Sequence, residues 1–170
     1  MAKIVMVIAP ENFRDEEYFK PKEILESNGH EVITASKEIN QIRGVGGGTA
    51  KATVKVMDLS PYDYEAIVFI GGQGMQEFTN DSDLKAAAKK FYDAKKLTAA
   101  ICIAPAILAN AGILSGKKVT STPSAIEVLK KAGSNHTGSL VEVDGQIITA
   151  SGPDAAEELG NKIAEILKPK

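Results

Sequence analysis

The chain has 170 residues, of which 44% are hydrophobic and 25% charged, and its formal net charge is −2. This length and balance predict one soluble domain over residues 1–170 with a sizeable core. Near-neutral charge without a basic cluster argues against nucleic-acid binding, and no apolar stretch approaches the roughly 20 residues of a membrane helix. The apolar start runs into an acidic segment without a cleavage pattern, which predicts a buried strand and a cytoplasmic protein.

The predicted elements alternate between strands and helices along the chain. Apolar runs and short alternating segments predict strands within 3–9, 31–36, 41–57, 66–70 and 97–101, and a hairpin at 140–149. Helical spacing of apolar residues predicts helices at 15–28, 81–95, 103–111, 124–132 and 154–167. This order predicts a largely parallel α/β sheet covered on both faces, with functional groups beyond the carboxyl ends of its strands.

The single cysteine, Cys102, lies where the strand at 97–101 turns into the next predicted helix, with Pro105 in the first helical turn. The N-terminal end of a helix favours an anion, so a thiol there can titrate well below its free value of about 8.5. The Ile103 amide is placed to stabilise an oxyanion. The alternative is a small buried hydrophobic cysteine without a chemical role, and position alone leaves both interpretations open.

Two other strand ends are expected to face the same crevice. Gly71 and Gly72 follow the strand at 66–70, where their small size lets backbone N–H groups approach a ligand; a plain tight turn is the alternative. The segment 11–17 follows the first strand and carries four carboxylates. Most of them fit a solvated helix N-terminus, but one could point inward at Cys102 as an acid or base.

The sequence predicts neither a metal site nor a cofactor. One cysteine and two histidines, His30 and His136, offer no recognisable zinc spacing. The loop after the first strand is acidic and lacks glycines that would cradle a phosphate. His30 precedes the second strand, so it is expected at the sheet end opposite Cys102, as a surface residue. His136 lies in a predicted loop whose position the sequence leaves open.

These strand ends resemble those of the DJ-one/PfpI superfamily, also called ThiJ/PfpI, which has a class I glutamine amidotransferase-like fold. The resemblance covers the whole chain. It rests on Glu17 four residues before Pro21, and on Gly-His-Glu-Val at 29–32, Ile-Gly-Gly at 70–72, Ala-Ile-Cys at 100–102 and the segment 111–120. It implies a flavodoxin-like three-layer sandwich, a nucleophilic or oxidisable Cys102, and a homodimer or larger homo-oligomer.

The resemblance also implies roles for individual residues. Glu17 takes the position of the family's glutamate that hydrogen-bonds the cysteine sulfur, while Gly72 and Ile103 match the amides of the oxyanion pocket. A carboxylate would repel a thiolate, so we expect Glu17 to be protonated and to donate. Arg14 stands at a position that is usually acidic, and we expect it either to attract a substrate carboxylate or to pair with Glu17.

Two departures from the family pattern bear on function. Protease-like members carry a histidine directly after the cysteine, where this chain has Ile103, and deglycase-like members carry one about twenty residues later, where it has Thr122. The sequence therefore predicts weak glyoxalase III or deglycase-like activity on a small reactive carbonyl such as methylglyoxal, through Cys102 and Glu17. The alternatives are a redox sensor or chaperone-like protein that uses oxidation of Cys102, a disfavoured PfpI-type peptidase, and a relative without catalysis.

Overall fold

The computed structural model of the protein describes residues 1–169. Its strands are β1 (Lys3–Val7), β2 (Glu31–Ser36), β3 (Asn40–Arg43), β4 (Thr49–Ala52), β5 (Val54–Lys55), β6 (Ala66–Phe69), β7 (Leu97–Ile101), β8 (Lys118–Val119), β9 (Asn135–His136), β10 (Val141–Asp144) and β11 (Ile147–Ala150). Its α-helices are α1 (Asp15–Ser27), α2 (Ser82–Asp93), α3 (Pro105–Asn110), α4 (Ile126–Lys131) and α5 (Ala156–Ile166). Short 3-10 turns occupy Val56–Asp58, Pro61–Asp63, Gln73–Phe78, Pro123–Ala125 and Pro153–Ala155.

Seven of these strands form the central sheet, in the order β10-β11-β7-β6-β1-β2-β5. All neighbours in it run parallel except β10, which pairs antiparallel with β11 through the predicted hairpin. The pairs β3–β4 and β8–β9 lie outside this sheet. No helix within residues 1–169 is long and apolar enough to cross a bilayer.

Apolar side chains on both faces of the sheet explain the layers. Along β1, Ile4 and Met6 join the core that contains α1 and α5, while Val5 and Val7 join the core that contains α2, α3 and α4. Successive side chains of a strand point to opposite faces, so a strand that is apolar throughout needs helices on both sides. The flavodoxin-like three-layer sandwich predicted from the sequence is confirmed.

The carboxyl ends of three strands lie level at one edge of the sheet. Val7 of β1 pairs with Phe69 of β6, and Phe69 pairs with Ala100 of β7. Since these strands are parallel, the segments that follow them leave the sheet side by side. The loop to α1, the glycines after β6 and Cys102 after β7 are thereby brought together.

The opposite edge corrects one expectation. His30 lies at that edge, as predicted, but it is buried rather than a surface residue. Its Nδ1 accepts a hydrogen bond of 2.9 Å from the Ala2 amide. The parallel register that pairs Lys3 with Glu31 brings the residues before β1 and β2 together, and the chain start covers the imidazole.

Candidate functional site

Cys102 occupies a sharp elbow between β7 and α3. Its φ is 66°, a left-handed conformation that few residues other than glycine adopt. The Cys102 N–H donates to the Ala150 carbonyl (2.9 Å), and its own carbonyl accepts from the Thr122 N–H (3.0 Å). Backbone strain of this kind is concentrated at functional sites, and here two neighbouring segments hold the sulfur in place.

Glu17 is the carboxylate of the acidic segment that turns inward. Its side chain is fully buried, and Oε1 accepts a 3.0 Å hydrogen bond from the Gly71 N–H. Oε2 is buried and has no hydrogen-bond partner within residues 1–169. The Cys102 thiol is the neighbouring group whose hydrogen bonding acts on the pKa of the Glu17 carboxyl. The glutamate and the cysteine that the family resemblance connects therefore lie side by side.

Burial dominates the titration of both groups. It raises the pKa of the Glu17 carboxyl to about 7, although the hydrogen bonds from Cys102 and Gly71 oppose it. Burial, followed by the negative charge of Glu17 and its hydrogen bond, raises the pKa of the Cys102 thiol to about 11. Hydrogen bonds from Thr122 and the Ile103 amide to the sulfur act in the opposite direction.

The lowered thiol pKa expected from the sequence is therefore wrong. The helix that was expected to lower it, α3, has six residues and begins at Pro105 rather than at residue 103. Cys102 precedes this short helix by a turn, whereas the Glu17 carboxyl lies beside it. Burial of the thiol, together with the nearby charge of Glu17, outweighs the dipole of a short, more distant helix.

The two pKa values describe a coupled pair because the charge on Glu17 raises the pKa of the adjacent thiol. Below about pH 7 both protons are bound, and between about pH 7 and pH 11 one proton is shared. In that range the proton lies on the sulfur or on Glu17; Gly71 stabilises the carboxylate, while Thr122 and Ile103 stabilise the thiolate. The expected protonated Glu17 is thus the main form only below about pH 7.

Two glycines make this contact sterically feasible. A Cβ on Gly71 would lie 2.5 Å from Oε1 of Glu17 and 2.8 Å from the Cβ of Cys102. Gly72 has a φ of 118°, and a Cβ there would lie 2.4 Å from the Arg14 backbone nitrogen. Neither the Gly72 N–H nor the Ile103 N–H donates to a backbone oxygen of residues 1–169. The Gly72 amide is therefore available to a ligand, whereas the Ile103 amide is directed at the Cys102 sulfur, and the role of both in an oxyanion pocket stays a prediction.

We expect the substitution Gly72→Ala to lower the free energy of unfolding by at least about 3 kcal/mol, because it combines a positive φ with overlap against rigid backbone atoms. Gly112→Ala is the matched control: its φ is 79°, and an added Cβ there meets no atom within 4 Å. That variant should lose only about 1 kcal/mol. Urea denaturation measures both, and equal losses would show that backbone overlap at Gly72 is unimportant.

A cleft of about 320 Å³ opens above the sulfur. It is lined by Arg14, Glu17, Val45, Gly72, Gln73, Gln76, Cys102, Ile103, Thr122, Ser124 and Pro153. Most residues singled out from the sequence are thus brought together, while Gly71 lies beneath them against Glu17. The sequence analysis missed Val45, Gln73, Gln76, Ser124 and Pro153. All five lie in loops or short 3-10 turns that come after strands, and that position was the one available signal.

Arg14 does not form the expected pair with Glu17, and the structure gives a position to His136, which the sequence had left open. The Arg14 guanidinium pairs with Glu16 at 2.5 Å, and not with Glu17, which is buried on the inner side of α1. His136 belongs to β9, where its Nε2 lies 3.1 Å from the Ser121 hydroxyl, and it does not line the cleft. Within the described residues, no three side chains of metal-ligating type cluster.

The fold and this constellation can be compared with known proteins. The sequence profile of the DJ-1/PfpI family matches residues 2–166. The chain belongs to the DJ-1/PfpI family. The family predicted from the strand ends is therefore confirmed over nearly the whole chain.

Individual DJ-1/PfpI proteins are similar along most of their length. An uncharacterized protein of Methanocaldococcus jannaschii is 43% identical, over 98% of this chain and 83% of its own. A deglycase of Thermococcus kodakarensis is 31% identical, over 88% of this chain and 90% of its own. The crystal structure of a ThiJ/PfpI domain protein from Brachyspira murdochii superposes with a TM-score of 0.95 at 32% identity, covering 97% of this chain and 95% of that one.

Proposed function

We propose that this protein is an enzyme of the glyoxalase III/deglycase type that acts on small α-oxoaldehydes such as methylglyoxal. One observation carries the proposal: the buried Glu17 carboxyl, whose Oε2 has no hydrogen-bond partner among residues 1–169, lies beside the partly exposed Cys102 thiol at the floor of the cleft. Such a pair combines a nucleophile with a group that moves a proton at near-neutral pH. The similarity to deglycases at about 30% identity supports the same reaction class.

In the first step Glu17 takes the thiol proton, and the Cys102 sulfur attacks the aldehyde carbon. A C–S bond forms while the carbonyl electron pair moves to oxygen, and the N–H groups of Gly72 and Ile103 stabilise that oxygen. Glu17 then returns its proton to that oxygen, giving a hemithioacetal. A carboxyl with a pKa of about 7 suits both directions of this transfer, because it holds or releases a proton at neutral pH.

The second stage is an internal redox change that needs no external oxidant. Glu17 removes the hydrogen of the former aldehyde carbon as a proton, and a proton is added to the neighbouring carbonyl carbon. The hydroxyl proton of the first carbon passes to the oxygen of the second. The first carbon is thereby oxidised to a thioester and the second reduced to an alcohol. Water then cleaves the C–S bond, which releases a 2-hydroxy acid and restores the Cys102 thiol.

The cleft supports the alternative functions less well. Peptide cleavage requires an acid for the departing amine, and no histidine lines the described cleft, where Ile103 follows the cysteine. Redox sensing would use the same sulfur, but it requires neither a substrate cleft nor the amide groups that surround this one. A family relative without activity is the remaining alternative, and the next experiment addresses it.

The test is the formation of lactate from methylglyoxal by the wild-type protein, followed by proton NMR. We expect one lactate per methylglyoxal consumed. The control is the same protein alkylated beforehand with iodoacetamide, which modifies its one cysteine. Absence of lactate from a protein that is folded by circular dichroism would contradict the proposed function.

A further inference from the structure

We propose that the Arg14–Glu16 ion pair makes the cleft select neutral carbonyl compounds over anionic ones, with Glu16 as the specificity-determining residue. The inference builds on the proposed function, because it names the charge class of the substrate. It decides between an uncharged α-oxoaldehyde such as methylglyoxal and an anionic one such as 4,5-dioxopentanoate. It also bears on Arg14 itself, a cation that would otherwise be expected to attract a carboxylate.

Few side chains that line the cleft can carry a charge. These are Arg14, Glu17 and the Cys102 thiol, and the other lining side chains are apolar or uncharged. Arg14 Nε donates to Glu16 Oε2 at 2.5 Å, so the guanidinium already forms an ion pair with a carboxylate of the protein. The exposed amides of Gln73 and Gln76 provide hydrogen bonds to carbonyl or hydroxyl oxygens without favouring a negative charge.

The position of the ion pair is fixed by the backbone. The Arg14 N–H donates to the Gly71 carbonyl at 3.1 Å, which ties the start of α1 to the turn after β6. Glu16 lies in the first turn of α1, where a carboxylate is favoured by the free N–H groups. Glu16 is therefore held beside the cleft entrance, and its charge offsets the cation that an incoming anion would meet.

The solvent exposure of the Arg14–Glu16 pair limits the size of its effect on charge selectivity. The side chains of Arg14 and Glu16 are 46% and 39% exposed, so water and salt screen both charges. Exposed ion pairs contribute little energy, which limits the expected change in selectivity to about 2- to 5-fold. A change of this size is measured reliably as a ratio of two rates on the same protein.

The experiment compares alkylation of Cys102 by iodoacetate and by iodoacetamide, two reagents that differ in charge but little in size. In Glu16→Gln the rate ratio of iodoacetate to iodoacetamide should rise about 2- to 5-fold over wild type, because Arg14 is freed. In Arg14→Gln the ratio should fall below wild type, because Glu16 is then unpaired. Glu23→Gln is the matched control, since it removes an exposed carboxylate of α1 that has no ion pair to Arg14; its ratio should stay unchanged.

Alkylation needs no turnover, so this result is independent of whether methylglyoxal is converted. An unchanged ratio in Glu16→Gln, or the same rise in Glu23→Gln, would overturn the inference. Where wild type does convert methylglyoxal, the kcat/KM for 4,5-dioxopentanoate relative to methylglyoxal should rise by a similar factor in Glu16→Gln. Failure of turnover with a positive alkylation result would refute the proposed function and leave the charge selection standing.

Discussion

Replacing Cys102 by alanine is expected to lower kcat/KM for methylglyoxal at least about 1,000-fold. The proposed reaction passes through a C–S bond, and the chain has no second cysteine to form it. Folding should be little affected, since the sulfur is partly exposed and alanine meets the same backbone demand at a φ of 66°. Lactate formation measures the activity, and urea denaturation measures the stability.

A second left-handed residue provides the control for this substitution. Lys95 has a φ of 65° and lies outside the cleft. Lys95→Ala therefore tests what alanine costs at such a backbone position, and it should retain full activity. Activity that persists in Cys102→Ala would exclude the cysteine as the nucleophile. An equal loss in Lys95→Ala would attribute the effect to backbone strain.

The substitution Glu17→Gln is expected to lower turnover about 100- to 10,000-fold, because an amide cannot accept and return the proton. Its oxygen can still accept the Gly71 N–H, so the local structure should be preserved. Glu17→Leu is the harsher companion variant: it removes the charge and also leaves the buried Gly71 N–H unpaired. Methylglyoxal turnover that equals wild type in Glu17→Gln would remove the carboxyl from the mechanism.

The pH dependence of Cys102 alkylation tests whether Glu17 exchanges a proton with the thiol or only occupies the space beside it. In wild type the rate should rise through about pH 7, where the pair loses its first proton, and level off until near pH 11. In Glu17→Gln the plateau should disappear. A single inflection below pH 11 is expected, because the negative charge that raises the thiol pKa is gone. Identical profiles in the two proteins would show that Glu17 and Cys102 titrate independently.

The sequence was sufficient for the elements that depend on local pattern. The apolar run of β7 followed by Pro105 placed Cys102 at an elbow, and the alternation of strands and helices gave the layers of the fold. The prediction of a lowered thiol pKa was wrong because it was based on the N-terminal end of the helix alone. The contact with Glu17 depends on how two distant strand ends meet, and no local pattern contains that distance.

The positions and partners of other residues could not be predicted from the sequence for a similar reason. Asp15, Glu16 and Glu17 fit a helix N-terminus equally well, and only the family resemblance singled out Glu17. In the structure Asp15 accepts the N–H groups of Gly46 and Gly48, Glu16 pairs with Arg14, and Glu17 turns inward. His30 is buried because β1 and β2 share a register, and Val45 lines the cleft because of the path of its loop.

The burial of Glu17 also has a thermodynamic consequence for the whole protein. Its pKa is about 7 when folded and 4.5 in the unfolded reference, so between these values the folded state binds the extra proton. The resulting stabilisation is complete below pH 4.5 and is lost as the pH rises through 7, and it amounts to about 3 kcal/mol. Above about pH 7, where Glu17 is ionised in the folded protein, this stabilisation is therefore absent. At neutral pH and above, an uncharged side chain of similar size at this position would avoid that loss of stability.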